Sequence, residues 1–249
     1  MSKVFIVTGA SKGLGAAIAT YLLGHSHRLV LSARSADVLE EMQARWPGQV
    51  EYVAGDIARD DIPPRLVDRA VAAFGGVDGV VINHGMLQTK RFDDLTMADV
   101  KHAYEVNVFS CLAMAQASLK ELRKSKGCIV WTSSGAAAKP YVSWGTYGSS
   151  KAAVNSISQI LAAEEPDITS VAIAPGRVDT EMQALIRSEG AQSMSKAQHD
   201  EFVRAHREGA LLKPEQPGHV MARFLCEPNH VLSGKFVSWN SPELAAYQS

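Results

Sequence analysis

Cysteine is scarce in this sequence, since the chain of 249 residues contains only 3, namely Cys111, Cys128 and Cys226. An odd number of widely separated cysteines, with no CxxC pair and no accompanying histidine spacing, excludes a disulfide framework and a structural zinc site. We therefore expect buried free thiols and no metal.

Long hydrophobic runs and blocks of one charge are also absent. No apolar run approaches the ~18 residues of a membrane helix, and the first segment, MSKVFIVTG, lacks the pattern of a secretory leader. With 25 Lys and Arg against 26 Asp and Glu, the net charge is -1, which gives no electrostatic footprint for nucleic acid. We expect a cytoplasmic protein that binds a small molecule and has no nucleic-acid or membrane partner.

What the sequence does contain is a regular alternation of short β-branched segments with helical patterns. This alternation is typical of βαβ units and predicts an α/β fold, a single Rossmann-type domain over 1–249 with a doubly wound parallel sheet. The predicted strands are 4–8, 28–32, 50–53, 79–83, 127–132 and 169–174, and the predicted helices lie near 13–25, 36–46, 60–74, 96–124, 147–164 and 215–226. The polar stretch around 179–210 breaks the alternation, and it is either a substrate loop or lid, which we favour, or an ordinary surface excursion.

The turn after the first predicted strand is rich in glycine and reads TGASKGLG over 8–15. Gly9 allows the sharp turn, Gly13 lets the backbone approach a pyrophosphate, and Gly15 permits close helix packing. The following helix offers free N–H groups to phosphate at its N-terminus, so strand, turn and helix together predict a dinucleotide site. The residues predicted to contact the cofactor here are Gly9, Ser11, Lys12, Gly13, Leu14 and Gly15.

The end of the second predicted strand indicates which dinucleotide binds. An NAD site places Asp or Glu there for the ribose 2′-hydroxyl, and a carboxylate would repel a 2′-phosphate. Here Arg34 follows the strand, and together with Lys12 it would offer two cations to that phosphate. Asp37 is the alternative, NAD-type acid, but it falls in the first turn of the next predicted helix, where Asp favours the helix dipole. The predicted cofactor is NADP(H).

Tyr147 and Lys151 are four residues apart on one predicted helix, so their side chains share a face. A phenol loses its proton near pH ~10, but an ammonium group held close favours the phenolate, so the tyrosine can exchange a proton at neutral pH. The same spacing also occurs on ordinary amphipathic helices without any chemistry. Its meaning therefore depends on the rest of the chain.

Several motifs occur together and in order. They are the glycine turn 8–15, Asp56 after the third strand, the motif Asn83-His84-Gly85 after the fourth, Asn107 within a helix, Ser134 placed 13 residues before Tyr147, the Tyr147/Lys151 pair and the segment 175–180. As a set they resemble the classical short-chain dehydrogenase/reductase family over almost the whole chain. The stretches 133–147, 164–166 and 178–182 are similar, more specifically, to the branch that contains sepiapterin reductases and fungal benzil reductases.

The resemblance implies roles for particular residues. Tyr147 would exchange a proton with the substrate oxygen, which Ser134, or the adjacent Ser133, would hold by a hydrogen bond. Lys151 would lower the pKa of the tyrosine and bind the ribose, and Asn107 would hold a water that relays protons. The catalytic residues implied are Asn107, Ser134, Tyr147 and Lys151, and the further cofactor contacts are Asp56, Ile57, Asn83, Gly85, Tyr147, Lys151, Pro175, Gly176, Val178 and Thr180.

Two positions depart from the family pattern. His84 stands where the family usually has a small alanine, and we interpret it as a packed or solvent-facing ring rather than an acid or base. Ser238 stands where sepiapterin reductases carry the acidic residue that anchors the pterin, which puts pterin recognition in doubt. The substrate contacts predicted are Ser134, Tyr141, Trp144, Tyr147 and Met182, with Trp239 as a further candidate. The aromatic and apolar members suit a bulky ketone or a vicinal diketone, the alternative being ordinary core packing.

The predicted function is NADPH-dependent reduction of a carbonyl to an alcohol, with tyrosine as the proton donor. The alternatives are an alcohol, sugar-alcohol or steroid dehydrogenase that runs oxidatively, and a non-catalytic NADP(H)-sensing protein of the same fold. Two predicted helices carry apolar residues on more than one face, which predicts a homodimer or homotetramer. These residues are Phe109, Leu112, Leu119, Ala153, Ile157, Ile160 and Leu161.

Overall fold

The computed structural model describes residues 2–248, and within them seven strands form one sheet in the order β3-β2-β1-β4-β5-β6-β7. The strands are β1 (Val4–Thr8), β2 (Arg28–Ala33), β3 (Val50–Ala54), β4 (Gly79–Ile82), β5 (Cys128–Thr132), β6 (Thr169–Ala174) and β7 (Phe236–Ser238). Every pair of neighbouring strands is parallel. The predicted doubly wound α/β fold is confirmed.

Helices cover both faces of this sheet. They are α1 (Gly13–Gly24), α2 (Ala36–Arg45), α3 (Ile62–Phe74), α4 (Met97–Tyr104), α5 (Ser110–Ser125), α6 (Gly145–Glu164), α7 (Glu181–Glu189), α8 (Lys196–Arg207) and α9 (Glu215–Cys226). One apolar layer contains residues of α1, α2 and α9, and the other contains residues of α3, α5 and α6. Among the helices described, none is long and apolar enough to cross a membrane.

Alternate residues of each central strand face opposite helical layers. In β1, Phe5 and Val7 belong to the layer with α1 and α9, whereas Val4 and Ile6 belong to the layer with α3 and α5. Both sets are apolar because a parallel sheet is covered on its two faces. The strands therefore read in the sequence as continuous apolar runs rather than as alternating patterns.

The helix predicted over 96–124 is divided by a π-helical segment at Glu105–Phe109, which separates α4 from α5. The Ser110 N–H donates to the Glu105 carbonyl oxygen, one residue further back than in an α-helix. This longer hydrogen bond widens the helical turn, and the widened turn contains Asn107. The Asn107 side chain forms hydrogen bonds with the backbone of Met86 instead of facing solvent. Asparagine is unfavourable inside a regular helix because its amide competes for backbone groups.

Two further regions differ from what the sequence predicts. The stretch 179–210 contains α7 and α8 rather than irregular chain, and the Ser195 hydroxyl caps α8 by accepting from the Gln198 N–H. Strand β7 has only three residues, Phe236–Ser238, and its pairing with β6 alone makes it a strand. A segment this short carries no periodicity from which a strand can be predicted.

The carboxyl ends of the central strands meet at one edge of the sheet. Strands β1 and β4 are neighbours, and the chain leaves them in opposite directions, from β1 towards β2 and from β4 towards β5. At such a topological switch point the loops diverge and leave a crevice, which is where open α/β sheets bind their ligands.

Candidate active site

The turn between β1 and α1 lies at this crevice, and its conformation requires glycine. Gly9 has a φ of +65° and Gly13 a φ of +53°, a region that other residues rarely adopt. A Cβ added at Gly15 would lie 2.1 Å from the Gly9 carbonyl oxygen, so the helix approaches the turn too closely for a side chain. The N-terminus of α1 has no side-chain cap, which leaves its first N–H groups available to an anion.

Gly15→Ala is expected to destabilise the protein and to abolish dinucleotide binding, because the methyl group would overlap the Gly9 carbonyl oxygen. Overpacking of this kind costs about 1–3 kcal/mol, which lowers the melting temperature measurably. Gly24→Ala is the matched control, since Gly24 ends the same helix and nothing lies within 4 Å of a Cβ added there. Equal melting temperatures for the two variants would contradict the steric explanation.

Asn83 joins the ends of three strands beneath the glycine turn. Its side-chain amide donates to the carbonyl oxygens of Thr8 and Gly9, each at 3.2 Å, and its Oδ1 accepts from the Thr132 hydroxyl at 3.3 Å. Its backbone N–H donates to Thr8 Oγ1 at 2.9 Å. Asn83 therefore fixes the position of the same Gly9 carbonyl that excludes a side chain at Gly15.

Tyr147, in the first turn of α6, lies beside Ser134, which comes just after β5. Burial raises the pKa of the Tyr147 phenol, and the neighbouring Ser134 hydroxyl lowers it in part. The lowering of this pKa by Lys151 stays a prediction, because the Lys151 ammonium lies 5.9 Å from the centre of the ring and donates to the Thr132 carbonyl oxygen. The phenol is therefore protonated at neutral pH.

Lys151 is buried one turn further along α6. Its ammonium donates to the Thr132 carbonyl oxygen at 2.7 Å, and burial lowers its pKa. A Cβ added at Gly85, in the loop after β4, would lie 3.5 Å from Lys151 Nζ and 3.3 Å from Asn107 Oδ1. Gly85 thus lies directly against two of the predicted catalytic side chains, which come from different helices.

Asn107 is fully buried in the π segment, and its side chain is satisfied within the protein. Oδ1 accepts from the Met86 N–H at 2.8 Å, while Nδ2 donates to the Met86 carbonyl oxygen at 2.8 Å and to Ser150 Oγ at 3.1 Å. Both amide protons are used, so a water at this side chain must donate to Oδ1. Asn107 holds the loop after β4 against α6, next to Lys151.

The two adjacent serines after β5 have different surroundings. Ser133 is buried and donates to Asn155 Oδ1 on α6 at 2.6 Å, so its hydroxyl proton is used in packing. Ser134 is partly exposed and accepts from the Ala136 N–H at 3.1 Å, and its hydroxyl lies beside Tyr147. The structure favours Ser134 over Ser133 as the partner of the tyrosine.

The cations predicted to meet a 2′-phosphate lie on the exposed rim of the crevice. Arg34 follows β2 with an exposed side chain, whereas Lys12 forms an ion pair with Glu181 at the start of α7. Asp37 lies in the first turn of α2, as predicted. Asp56 accepts through Oδ1 from the backbone N–H two residues on, at 3.0 Å, and so stabilises its own turn. Lys12 would have to leave Glu181 to bind a phosphate.

The loop between β6 and α7 borders the glycine turn. A Cβ added at Gly13 would lie 3.0 Å from Thr180 Cγ2, which brings the two loops into contact, and Gly176 has a φ of +80°. The Thr180 hydroxyl donates to the Val178 carbonyl oxygen at 3.3 Å instead of capping α7. Of the remaining predicted contacts, Ser11 and Pro175 are partly exposed, and Leu14, Ile57 and Val178 are buried.

An apolar cluster surrounds the ring of Tyr147. Tyr141 stacks on Trp144 with ring centroids 4.7 Å apart, and Trp144 meets the Tyr147 ring edge-on at 5.7 Å. Phe202, from α8, lies 5.4 Å from Trp144. We call these residues the aromatic cluster; with them pack Leu87, Ala136, Met182, Ile186 and Met194. The structure therefore brings together the substrate residues predicted from the sequence.

Several residues that pack around Tyr147 were not predicted from the sequence. Phe202 and Ile186 belong to α8 and α7, and the apolar face of a helix shows which side chain points inward but not what it meets. Trp239, the further substrate candidate, does not join the set. It lies against Gly176 and packs on the layer that contains α1 and α9.

Comparison with known proteins identifies the family. Residues 3–191 match the family model described as short chain dehydrogenase. A benzil reductase from Saccharomyces cerevisiae that forms (S)-benzoin is 32% identical over 100% of both chains, and a sepiapterin reductase from Bos taurus is 33% identical over 73% of this chain and 75% of its own. The crystal structure of a short-chain dehydrogenase/reductase from Saccharomyces cerevisiae has a TM-score of 0.97 at 34% identity, covering 100% of both chains.

The chain therefore belongs to the short-chain dehydrogenase family. Members of this family are oxidoreductases that use nicotinamide cofactors. The resemblance of the motifs to sepiapterin and benzil reductases is confirmed, since both kinds of enzyme are among the relatives.

Proposed function

We propose that this protein is an NADPH-dependent oxidoreductase that reduces an apolar ketone or vicinal diketone to the alcohol. The observation that carries the proposal is that the hydroxyl groups of Tyr147 and Ser134 lie side by side at the wall of the aromatic cluster. Two hydroxyl groups beside an apolar surface suit a carbonyl oxygen whose substituents are apolar. Relatedness to a benzil reductase supports a diketone as the substrate.

The residues at the crevice fit a nicotinamide dinucleotide. The glycine turn leaves no side chain where a pyrophosphate would approach, and the uncapped start of α1 provides N–H donors. Because Gly85 has no side chain, the space between the loop after β4 and the Lys151 ammonium is open. We assign the phosphates to residues 9–15, the adenosine end to Arg34, Asp56 and Ile57, and the nicotinamide end to Asn83, Gly85, Tyr147, Lys151 and residues 175–180.

When bound, the reduced nicotinamide supplies a hydride to the carbonyl carbon. Tyr147 donates the proton that the carbonyl oxygen takes up, since burial keeps the phenol protonated. Ser134 hydrogen-bonds the same oxygen and stabilises the negative charge that develops there. Lys151, held by the Thr132 carbonyl, keeps a positive charge near the ring and favours the phenolate left after proton transfer.

Arg34 supports NADPH over NADH. Its guanidinium is exposed at the position where an NAD site has a carboxylate, and its planar fork suits a phosphate. Lys12 would supply a second positive charge after it separates from Glu181. The two cations follow the carboxyl ends of neighbouring strands, Lys12 after β1 and Arg34 after β2.

Glu181→Gln is expected to tighten NADPH binding, because Lys12 would no longer be held by the carboxylate. An exposed ion pair is worth about 0.2–1 kcal/mol, so the Kd for NADPH should fall by up to about fivefold, with NADH unaffected. Fluorescence titration measures both constants, and Glu189→Gln, at the exposed end of the same helix, is the control. An unchanged Kd for NADPH would show that Lys12 does not bind the phosphate.

The surroundings of Ser238 favour an apolar substrate over a pterin. Its hydroxyl donates to Asn240 Oδ1 at 2.9 Å, so this position offers no carboxylate to a pterin ring. The aromatic cluster presents rings instead of charged groups near Tyr147. Rings of this kind bind bulky apolar groups by stacking and edge contacts.

A spectrophotometric assay tests the proposed function. Loss of reduced-nicotinamide absorbance is followed with NADPH and with NADH against aromatic diketones, quinones, aldehydes and sepiapterin, and we expect the fastest turnover with NADPH and a diketone. A preference for NADH would overturn the cofactor assignment. Faster oxidation of alcohols, sugar alcohols or steroids with NADP⁺ would support an oxidative dehydrogenase, and NADPH binding without any turnover would support a sensing protein.

We also propose that the protein forms a homodimer or homotetramer through the helices that follow β4 and β5. Phe109, in the π segment, is 52% exposed, and Ile160, on α6, is 54% exposed. Large apolar side chains exposed on long helices are typical of surfaces that pair with a second copy. Light scattering that showed only monomer at micromolar concentration would refute this proposal.

A further inference from the structure

His84 is a buried histidine for which the proposed chemistry has no use. It follows Asn83 in the loop after β4, and it is packed in the protein, 8% exposed, rather than facing solvent. Its Nδ1 lies 2.8 Å from the Thr8 hydroxyl, and its Nε2 lies 2.8 Å from the Ser110 hydroxyl. Both ring nitrogens are thus engaged by groups on other elements, β1 and α5.

The hydrogen bonds around the ring determine where its proton lies. The Ser110 hydroxyl donates its single proton to the Val106 carbonyl oxygen at 2.7 Å, so Ser110 Oγ must accept from His84 Nε2. Nδ1 is then the acceptor, and the Thr8 hydroxyl donates to it at 2.8 Å in preference to the Val81 carbonyl at 3.3 Å. Burial and the charge of Lys151 lower the pKa of the ring to about 3, which agrees with a neutral imidazole.

The acceptor Ser110 is the first residue after the π segment. Its backbone N–H donates to the Glu105 carbonyl oxygen and its hydroxyl to the Val106 carbonyl oxygen, so one residue closes the widened turn through two bonds. The His84 Nε2–H fixes the rotamer of that hydroxyl. Cys111 Sγ lies 3.3 Å from the same nitrogen.

The π segment in turn carries Asn107. That side chain binds the Met86 backbone at 2.8 Å on both of its ends and reaches Ser150, the residue before Lys151, at 3.1 Å. A continuous series of hydrogen bonds therefore runs from His84 through Ser110 and the π segment to the residues around the Lys151 ammonium.

We propose that His84, in its Nε2–H form, is a positioning residue that holds the π segment and thereby sets the place of Asn107 and Lys151. This inference rests on the proposed function, because it concerns the reaction assigned to Tyr147 and Lys151. The hydrogen bond from His84 Nε2–H to Ser110 Oγ is the one that holds the π segment. The bond from Thr8 anchors the other end of the ring to β1.

Two amide substitutions separate these bonds. The Nε2 amide of His84→Gln can replace the Nε2–H donor to Ser110, whereas Oδ1 of His84→Asn can replace only the Nδ1 acceptor for Thr8. We expect kcat of His84→Gln to stay within about threefold of the parent. Asn and Ala at this position should lower kcat about tenfold or more, as misplacement of reacting groups does. Kd for NADPH should remain within about threefold in all three variants.

His102→Gln serves as the control, because His102 is exposed on α4 and lies outside this series of bonds. Ser110→Ala provides a second test, since it should lower kcat like His84→Ala and the double variant should lose no more than either single variant. Equal losses for His84→Gln and His84→Asn would overturn the inference. The inference would also be overturned if kcat fell only in proportion to NADPH affinity and melting temperature, because that result would show a role in packing alone.

Two measurements do not depend on turnover and separate this inference from the proposed function. The imidazole nitrogen shifts of the parent should show the Nε2–H tautomer, and the amides of Glu105–Phe109 should exchange faster in His84→Asn than in His84→Gln. If the parent reduces no carbonyl, the proposed function fails. The tautomer and the exchange rates would still show whether His84 stabilises the π segment. The Nδ1–H tautomer would refute that role.

Discussion

Tyr147→Phe is expected to lower kcat about 10³-fold while NADPH still binds, because the variant keeps the ring but loses the only proton that Tyr147 can transfer. The phenol is buried against Trp144 and beside Ser134, so no bulk water replaces it as the proton donor. The cofactor contacts proposed for the glycine turn and Arg34 are untouched. The loss should therefore fall on kcat and leave the Kd for NADPH nearly unchanged.

Single-turnover kinetics and a fluorescence titration measure these two quantities for the Tyr147 variant. Tyr52→Phe is the matched control, because Tyr52 lies in β3 and packs against the core layer of α1 and α9. Near-normal turnover by Tyr147→Phe would refute the assignment of the proton donor. A parallel loss of NADPH binding would show that turnover falls because the cofactor is lost, and not because the proton donor is missing.

The pH dependence of this reaction has a definite sign. Burial raises the pKa of Tyr147, and reduction requires the protonated phenol. The kcat for reduction should therefore stay level from neutral pH up to the ordinary phenol pKa of ~10 and fall only above it. A fall that began near pH ~7 would mean that another charge lowers the pKa of this phenol in the working enzyme.

Arg34→Asp is expected to reverse the cofactor preference. The guanidinium is replaced by a carboxylate that repels a 2′-phosphate and can accept from a ribose 2′-hydroxyl. Loss of hydrogen bonds to a charged group is worth about 1.5–3 kcal/mol, so kcat/KM for NADPH should fall about 10–100-fold, with further loss from repulsion. The value for NADH should be unchanged or higher.

Initial rates with NADPH and NADH at a fixed carbonyl concentration give both ratios for the Arg34 variant. Arg45→Ala is the control, since Arg45 lies in the last turn of α2, beyond the crevice. If Arg34→Asp left the preference for NADPH intact, the phosphate would have to be held by Lys12 or by backbone groups alone.

The sheet and its switch point could be predicted because they follow from local patterns. Continuous apolar runs such as Val4–Thr8 identify buried parallel strands, and the glycines at 9, 13 and 15 are dictated by backbone geometry at one turn. Tyr147 and Lys151 could be paired because they are four residues apart on a helix. Ser134 could be assigned because it precedes Tyr147 by 13 residues, the separation that is usual in the family that the chain resembles. Each of these signals lies within a short segment.

What could not be predicted depends on contacts between distant segments. The ion pair of Lys12 with Glu181 joins residues on opposite sides of the crevice, and Phe202 reaches the aromatic cluster from a helix that follows β6. The raised pKa of Tyr147 reflects burial, which the spacing of Lys151 does not report. The amphipathic pattern of 96–124 likewise gives no sign of where the helix widens.

The π segment makes the site depend on the number of residues in a helix as well as on their identity. Helix α4 packs against α6 and α5 packs against α3, and the extra residue in the widened turn lets both contacts form at once. Deletion of one residue from Glu105–Phe109 would turn α4 relative to α5 by about 100°. One of the two helices would then lose its partner and Asn107 would turn away from Met86, although every side chain assigned to the chemistry was still present.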